Sequence, residues 1–233
     1  MSGPTIGQVL SEFLEEQKTS LAPKTYARYR EVIELFQHSI DTYAYQYLNE
    51  ADSRRFESLA HGQGARNLVF CDIFGPEHIL GNVNEFLGYF MVRKVAAGPT
   101  LGQAAGTVTK KLATWLAEKG YVRPQSAKVA AERGASAASN LPKAARLEAA
   151  LERVVDSVDP GACTEEVEDH FTITRVEANS IWLEGMLDGR ELGPIRLPPE
   201  VARRCTEGWT ISGVVGRVRR RWELADIWHV YPE

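Results

Sequence analysis

The sequence predicts an α+β fold in three parts: a four-helix domain over residues 1–122, a linker carrying one helix over 123–169, and a small five-stranded β-barrel over 170–233. Three observations predict it. Apolar residues step by three and four through the first part, the mark of one buried helix face. Residues 134–140, Gly-Ala-Ser-Ala-Ala-Ser-Asn, carry nothing large enough to bury and read as linker. After His170 the apolar period shortens toward two, as in half-buried strands.

Each helix has its own signals. Thr5 and Gln8 have the spacing of a capping box, and Ile6, Val9, Leu10, Phe13 and Leu14 follow at helical spacing. The second helix starts near Pro23, whose missing N–H costs nothing in a first turn. Tyr26, Tyr29, Ile33, Phe36, Ile40, Tyr43 and Tyr47 carry it toward Leu48. That is a length of about 38 Å at 1.5 Å per residue. His61-Gly62-Gln63-Gly64 reads as a loop, and the short apolar run Asn67 to Phe74 as a buried helical turn or a strand, its helical neighbours favouring the helix. Gly75-Pro76-Glu77 opens a third helix with Ile79, Val83, Phe86, Leu87 and Phe90 inward. A fourth follows Gly98-Pro99, with Leu101, Ala105, Val108, Leu112, Trp115 and Leu116 on one side and Gly120 as its stop. Gly102 and Gly106, four apart, predict a tight helix-packing site. A fifth helix is expected from Lys143 to Val158, ended by Asp159-Pro160-Gly161.

Glu165, Glu166, Glu168 and Asp169 read as a solvated lead-in to the strands. Phe171, Ile173 and Val176 form the first strand, and Ala178-Asn179-Ser180 a turn. Ile181, Leu183 and Met186 form the second strand, and Pro194 to Leu197 the third. A short helix runs from Pro198-Pro199-Glu200 to Arg204. Trp209, Ile211, Val214 and Val215 mark the fourth strand, and Arg221 to Tyr231 the fifth. Five strands with a helix after the third is the element order of the OB-fold; strand counting leaves an SH3-like barrel open.

Composition narrows the function. With 44% hydrophobic and 25% charged residues, the chain can bury an ordinary globular core. Its net charge of -4 supplies no global positive field, so any nucleic-acid site must be local. Cys71, Cys163 and Cys205 form no Cys-x-x-Cys pair, which points to a reduced, cytoplasmic compartment. The first residues do not read as a signal peptide, and no apolar run approaches the ~20 residues that span a bilayer. The sequence lacks a phosphate-binding loop, a dinucleotide fingerprint and a nucleophile elbow. His38, His61, His78, His170 and His229 lie far from one another and from any cysteine, which argues against a zinc site. No cofactor is implied, and the expectation is a binding protein rather than an enzyme.

Phe13-Leu14, Leu21, Thr25, Tyr29 and Phe36, then Phe86-Leu87, Pro99-Thr100, Trp115-Leu116 and Gly120, form a pattern over residues 5 to 122. This pattern resembles the N-terminal core-binding, SAM-like domain of tyrosine recombinases and phage integrases. The resemblance implies a helical domain that holds DNA. Its matching basic positions are Lys24 and Arg28, spaced i and i+4, with Lys110 and Lys111. Against a tight clamp, residues 1–122 hold 12 Lys and Arg to 13 Asp and Glu. The catalytic half of that family is missing. It needs a His-x-x-Arg motif, and Asp41, Gly64, Gly81, Ile173 and Pro232 stand three residues after the five histidines. Tyr231 is therefore expected in the barrel core rather than as a nucleophile.

The last part offers a second basic surface. Arg217, Arg219, Arg220 and Arg221 crowd the hairpin between the fourth and fifth strands, with Trp209, Trp222, Trp228 and Tyr231 close by and Trp182 on the second strand. Arginines track phosphates and aromatic rings stack bases, although tryptophans in so small a barrel are expected mainly in its core. Residues 170–233 hold 9 Lys and Arg to 9 Asp and Glu, so the basic character is confined to the hairpin. The leading expectation is a non-catalytic DNA-binding accessory or regulatory factor. The rivals are a protein–protein adaptor using the barrel, and an enzyme whose site is assembled from distant residues.

Overall fold

The computed structural model describes residues 3–61, 68–156 and 163–232. The loop expected after His61 and the break at Asp159-Pro160-Gly161 lie outside them. The chain forms two compact units: Met1–Met91 with Leu101–Ala138, and Val92–Thr100 with Ser139–Glu233.

In the helical unit, α1 (Ile6–Ser20) is capped as its sequence predicts. The Gln8 N–H donates to the Thr5 hydroxyl at 3.4 Å, and the Thr5 N–H donates to the Gln8 side chain at 2.9 Å. Helix α2 (Pro23–Tyr43) gives way to a tight 3-10 turn at Ala44–Tyr47. Helices α3 (Glu50–His61) and α4 (Phe70–Ile73) follow. The expected third helix is instead a run of single turns: 3-10 at Pro76–His78 and Leu80–Asn82, the α-turn α5 (Val83–Glu85), and a π-helical stretch at Phe86–Lys94. Wider π winding aligns residues five apart. Phe86, Leu87 and Met91 are each buried. Helix α6 (Pro99–Glu118) stops at Gly120, whose φ is +76°. The Gly120 N–H donates to the Ala117 carbonyl and the Tyr121 N–H to the Leu116 carbonyl, a Schellman closure.

The largest departure from the sequence reading is α7, a single helix over Pro124–Val155. Residues 134–140, expected as linker, lie inside it, with Gly134 and Ala137 buried. Small side chains are there for close approach, not for flexibility, and alanine is the best helix former. A Cβ on Gly106 would stand 2.1 Å from the Ala138 nitrogen and 2.5 Å from the Gly134 carbonyl oxygen. A Cβ on Gly134 would stand 2.7 Å from the Lys110 nitrogen. Helices α6 and α7 thus touch backbone to backbone at two facing glycines. The division between the two units falls after Ala138, whose carbonyl loses its helical donor because Pro142, four residues on, has no N–H.

The second unit holds a five-stranded antiparallel sheet: β1 (Glu166–Glu177), β2 (Ser180–Gly185), β3 (Glu191–Arg196), β4 (Thr210–Val218) and β5 (Arg221–Tyr231), with α8 (Pro199–Ala202) between β3 and β4. The strand order is β3-β2-β1-β4-β5. The expected barrel does not close, since among the described residues no ladder joins β3 to β5. Strand β3 is short and contains Pro194, which has no N–H to give. Helix α7 supplies the missing cover. Its Ala144, Leu147, Ala150 and Leu151 enter one core with Phe171, Ile173, Ile181, Leu183, Ile211 and Val215. Trp209 belongs to that core. Tyr231 does not: it is half-buried, with its ring 5.9 Å from His170 and 6.0 Å from His229. Of the acidic lead-in, Glu166, Glu168 and Asp169 belong to β1; Glu166 and Glu168 are exposed as expected, and Asp169 is buried. Asp169 is 6% exposed and accepts from the backbone N–H groups of His170 and Leu187 at 2.6 and 3.0 Å. No helix among the described residues is long and apolar enough to cross a membrane.

Glu148 of α7 ties the helix to an edge strand: its carboxylate accepts from the Val230 N–H at 2.8 Å, with His229 Nδ1 3.9 Å away. Burial pushes its carboxyl above the ordinary value of 4.5, partly offset by that hydrogen bond and reinforced by Glu152.

Two stability predictions follow from these contacts. Gly106→Ala loses about 3 kcal/mol or more in chemical denaturation, the upper end of overpacking costs. Gly81→Ala, where an added Cβ meets nothing within 4 Å, stays within about 0.5 kcal/mol of the parent. At Glu148, removing the acceptor and removing the charge act in opposite directions. Glu148→Ala strands the Val230 N–H and costs about 1–3 kcal/mol. Glu148→Gln keeps an acceptor oxygen and mimics the protonated acid. A carboxyl whose pKa is raised by folding loses stability when it ionises. Glu148→Gln therefore melts higher than the parent at neutral pH, and the two curves converge as pH falls below 4.5.

Candidate nucleic-acid interface

The hairpin joining β4 to β5 is fixed by its register. Val218 pairs with Arg221 and Arg217 with Trp222, which leaves Arg219 and Arg220 as a two-residue turn. Their φ angles are +46° and +73°. Positive φ at both central positions matches the twist of the flanking strands and is the habit of Asn-Gly, not of Arg-Arg. In a residue with a Cβ that conformation costs about 1–2 kcal/mol. Two arginines therefore occupy the turn against the backbone's preference, which directs attention to their side chains. Arg219, Arg220 and Arg221 are all exposed, and among the described residues no hydrogen bond or ion pair engages their guanidinium groups.

Their neighbours are engaged. Glu165 accepts from Arg190 Nη1 at 3.0 Å and from Arg217 Nη1 at 3.4 Å. Those two hydrogen bonds, Arg190's first, hold the Glu165 carboxyl below its usual range. Both guanidinium groups also lie over the ring of Trp222, at 5.1 and 5.6 Å. Trp222 itself packs against the sheet core. One carboxylate and one indole thus hold Arg190 and Arg217 at the base, and the three arginines beyond them are exposed, with no hydrogen bond or ion pair among the described residues.

The helical candidates are less organised. Arg28 is paired with Glu31 at 2.6 Å. Lys24 on α2, and Lys110 and Lys111 on α6, are exposed. Among the described residues no hydrogen bond or ion pair of their side chains gathers them into one site. Lys119, at the end of α6, is taken by Glu12 and Glu16.

Sequence reasoning missed two members of the arginine–tryptophan set. Arg190 lies in the β2–β3 turn and reaches Trp222 through space. Arg175 covers the ring of Trp182 at 3.6 Å. The second was open to discovery: counting outward from the turn after Glu177 pairs Arg175 with Trp182. The Trp182 indole also lies against bare backbone, since a Cβ on Gly193 would stand 2.6 Å from its Cδ1. Being covered, it is a poor platform for a stacked base. Of the tryptophans, Trp228 is the most open at 37% exposed, and its Nε1 donates to Asp226 at 2.9 Å.

The strained turn makes its own prediction. Arg219→Asn with Arg220→Gly relieves the backbone and stabilises the fold by about 1 kcal/mol or more, read as a rise in thermal midpoint.

Set against known proteins, the chain matches no family model, no curated protein and no solved structure.

Proposed function

We propose that the chain binds DNA without catalysing a reaction on it, and that the β4–β5 hairpin is its principal contact. The observation that carries this reading is the free arginine triplet Arg219, Arg220 and Arg221, held at a turn whose backbone disfavours two of them. Phosphate contacts from such residues give local, salt-dependent binding in a chain with no net positive charge. The strand order supports the same reading. With β1 between β2 and β4, and α8 between β3 and β4, the sheet reads as OB-like, opened between its third and fifth strands. In that fold the loop between strands four and five flanks the oligonucleotide-binding face. The resemblance of residues 5 to 122 to recombinase core-binding domains points to the same ligand. There Lys24, Lys110 and Lys111 are secondary contacts, and Arg28 contributes least because Glu31 holds it. One observation favours the adaptor reading instead: Met186 and Leu187 in the β2–β3 turn are 67% and 85% exposed.

Fluorescence anisotropy with labelled single-stranded and duplex DNA across a salt series tests the proposal. The native chain binds, and log K falls with log salt. The variant Arg219→Asn, Arg220→Gly, Arg221→Gln keeps a good turn but loses at least tenfold in affinity at low salt. Its salt slope flattens by about 2–3, the share of three phosphate contacts. Unchanged binding by this variant would move the contact to the helices. No binding by the native chain at low salt would end the DNA reading.

A further inference from the structure

Ser126, Val129, Ala130 and Arg133 fall at helical spacing on one face of α7. They line a groove of about 980 Å³ together with the 3-10 turn Leu80–Asn82, Val83 and the link from Gly120 to Pro124. The whole lining belongs to the helical unit. Leu80 and Val122 are half-buried and Val129 is 57% exposed, so the groove shows apolar surface to solvent. Apolar walls with a few charged groups are the usual make-up of a small-molecule site.

The charges favour an anion. The described lining holds Arg123 and Arg133 against one carboxylate, Glu77, which stands 4.0 Å from His78 Nε2. Arg133 is half-buried. A Cβ on Gly88 would stand 3.5 Å from its Nη2, so the guanidinium lies along bare backbone. One helical turn to either side of it on α7 are Val129, Ala130, Ser136 and Ala137, none of them acidic. Among the described residues no hydrogen bond or ion pair engages its guanidinium. The residues of this unit outside the described ones, 1–2 and 62–67, include no aspartate or glutamate. A guanidinium partly withdrawn from water gains most from a planar anion that takes two of its donors at once. Arg123 is exposed and lies about 15 Å away along the helix axis, too far to share one small anion.

We infer that this groove binds a small carboxylate with an apolar body, the carboxylate forked on Arg133 and the body against Leu80, Val122 and Val129. The site is independent of the DNA reading, and either can fail alone.

The test titrates the intact chain by calorimetry at about 0.15 M salt, where exposed charges beyond about 8 Å are screened. The probes are 4-phenylbutyrate, 4-phenylbutanol as its neutral counterpart, and inorganic phosphate as charge without a body. The carboxylate binds saturably, at least about tenfold tighter than either of the others. Arg133→Gln keeps a long polar side chain; it brings the carboxylate down to the alcohol's affinity and leaves the alcohol unchanged. Arg123→Gln leaves the order of the three probes as it was. Gly81→Leu fills the groove from a position where an added Cβ meets nothing within 4 Å, and it abolishes binding while the melting temperature holds. Equal affinity of carboxylate and alcohol for the native chain would overturn the proposal. So would no saturable binding of the carboxylate, or a folded Arg133→Gln or Gly81→Leu variant that binds it as before. Should Arg133→Gln not fold, the probe comparison on the native chain and Gly81→Leu decide.

Discussion

The sheet unit depends on the cover that the second half of α7 gives to a sheet that does not close. An open five-stranded sheet exposes two rows of edge donors and acceptors and one apolar face, and both are liabilities in water. Ala144, Leu147, Ala150 and Leu151 remove the face from solvent, and the Glu148 carboxylate takes an N–H of the edge strand β5. The helix does with side chains what a fifth ladder does in a closed barrel. The cost is a carboxylate held in a half-buried place, where ionisation works against the fold. Buried area and one hydrogen bond outweigh it.

The same helix serves the other unit by opposite means. Its second half is rich in leucine and presents bulk, while its first half presents almost no side chain. Close approach of two helix backbones gains dispersion contacts along the crossing, and only glycine permits the distances at Gly106 and Gly134. The π-helical stretch at Phe86–Lys94 is a related accommodation, in which the winding changes and Phe86, Leu87 and Met91 are all buried.

These features mark how far the sequence could be read. Periodicity and capping located α1, α2, α6 and all five strands, because each buries one face and pattern records burial. The identity of the small-residue segment could not be read in isolation, since a linker and a close helix contact have the same composition and differ only in what lies opposite. Gly106 was noticed without its partner for that reason. Barrel closure was equally hidden: strand number says nothing about whether two edges meet. At the candidate interface, the arginine hairpin was legible because its residues are adjacent in the chain. The part played by Glu165, which holds Arg190 and Arg217 beside the three exposed arginines, joins residues far apart in sequence.

The facing glycines also bear on ancestry. A surface lysine or a loop can drift through many residues, but a position whose Cβ would meet backbone atoms inside van der Waals distance has almost no permitted alternatives. Two such positions on different helices, each closed by the other, form a spacing that sequence drift cannot easily erase. A distant relative with a rewritten surface would still carry small residues at the places of Gly106 and Gly134. That pair is the mark by which the lineage of this helical unit can be traced.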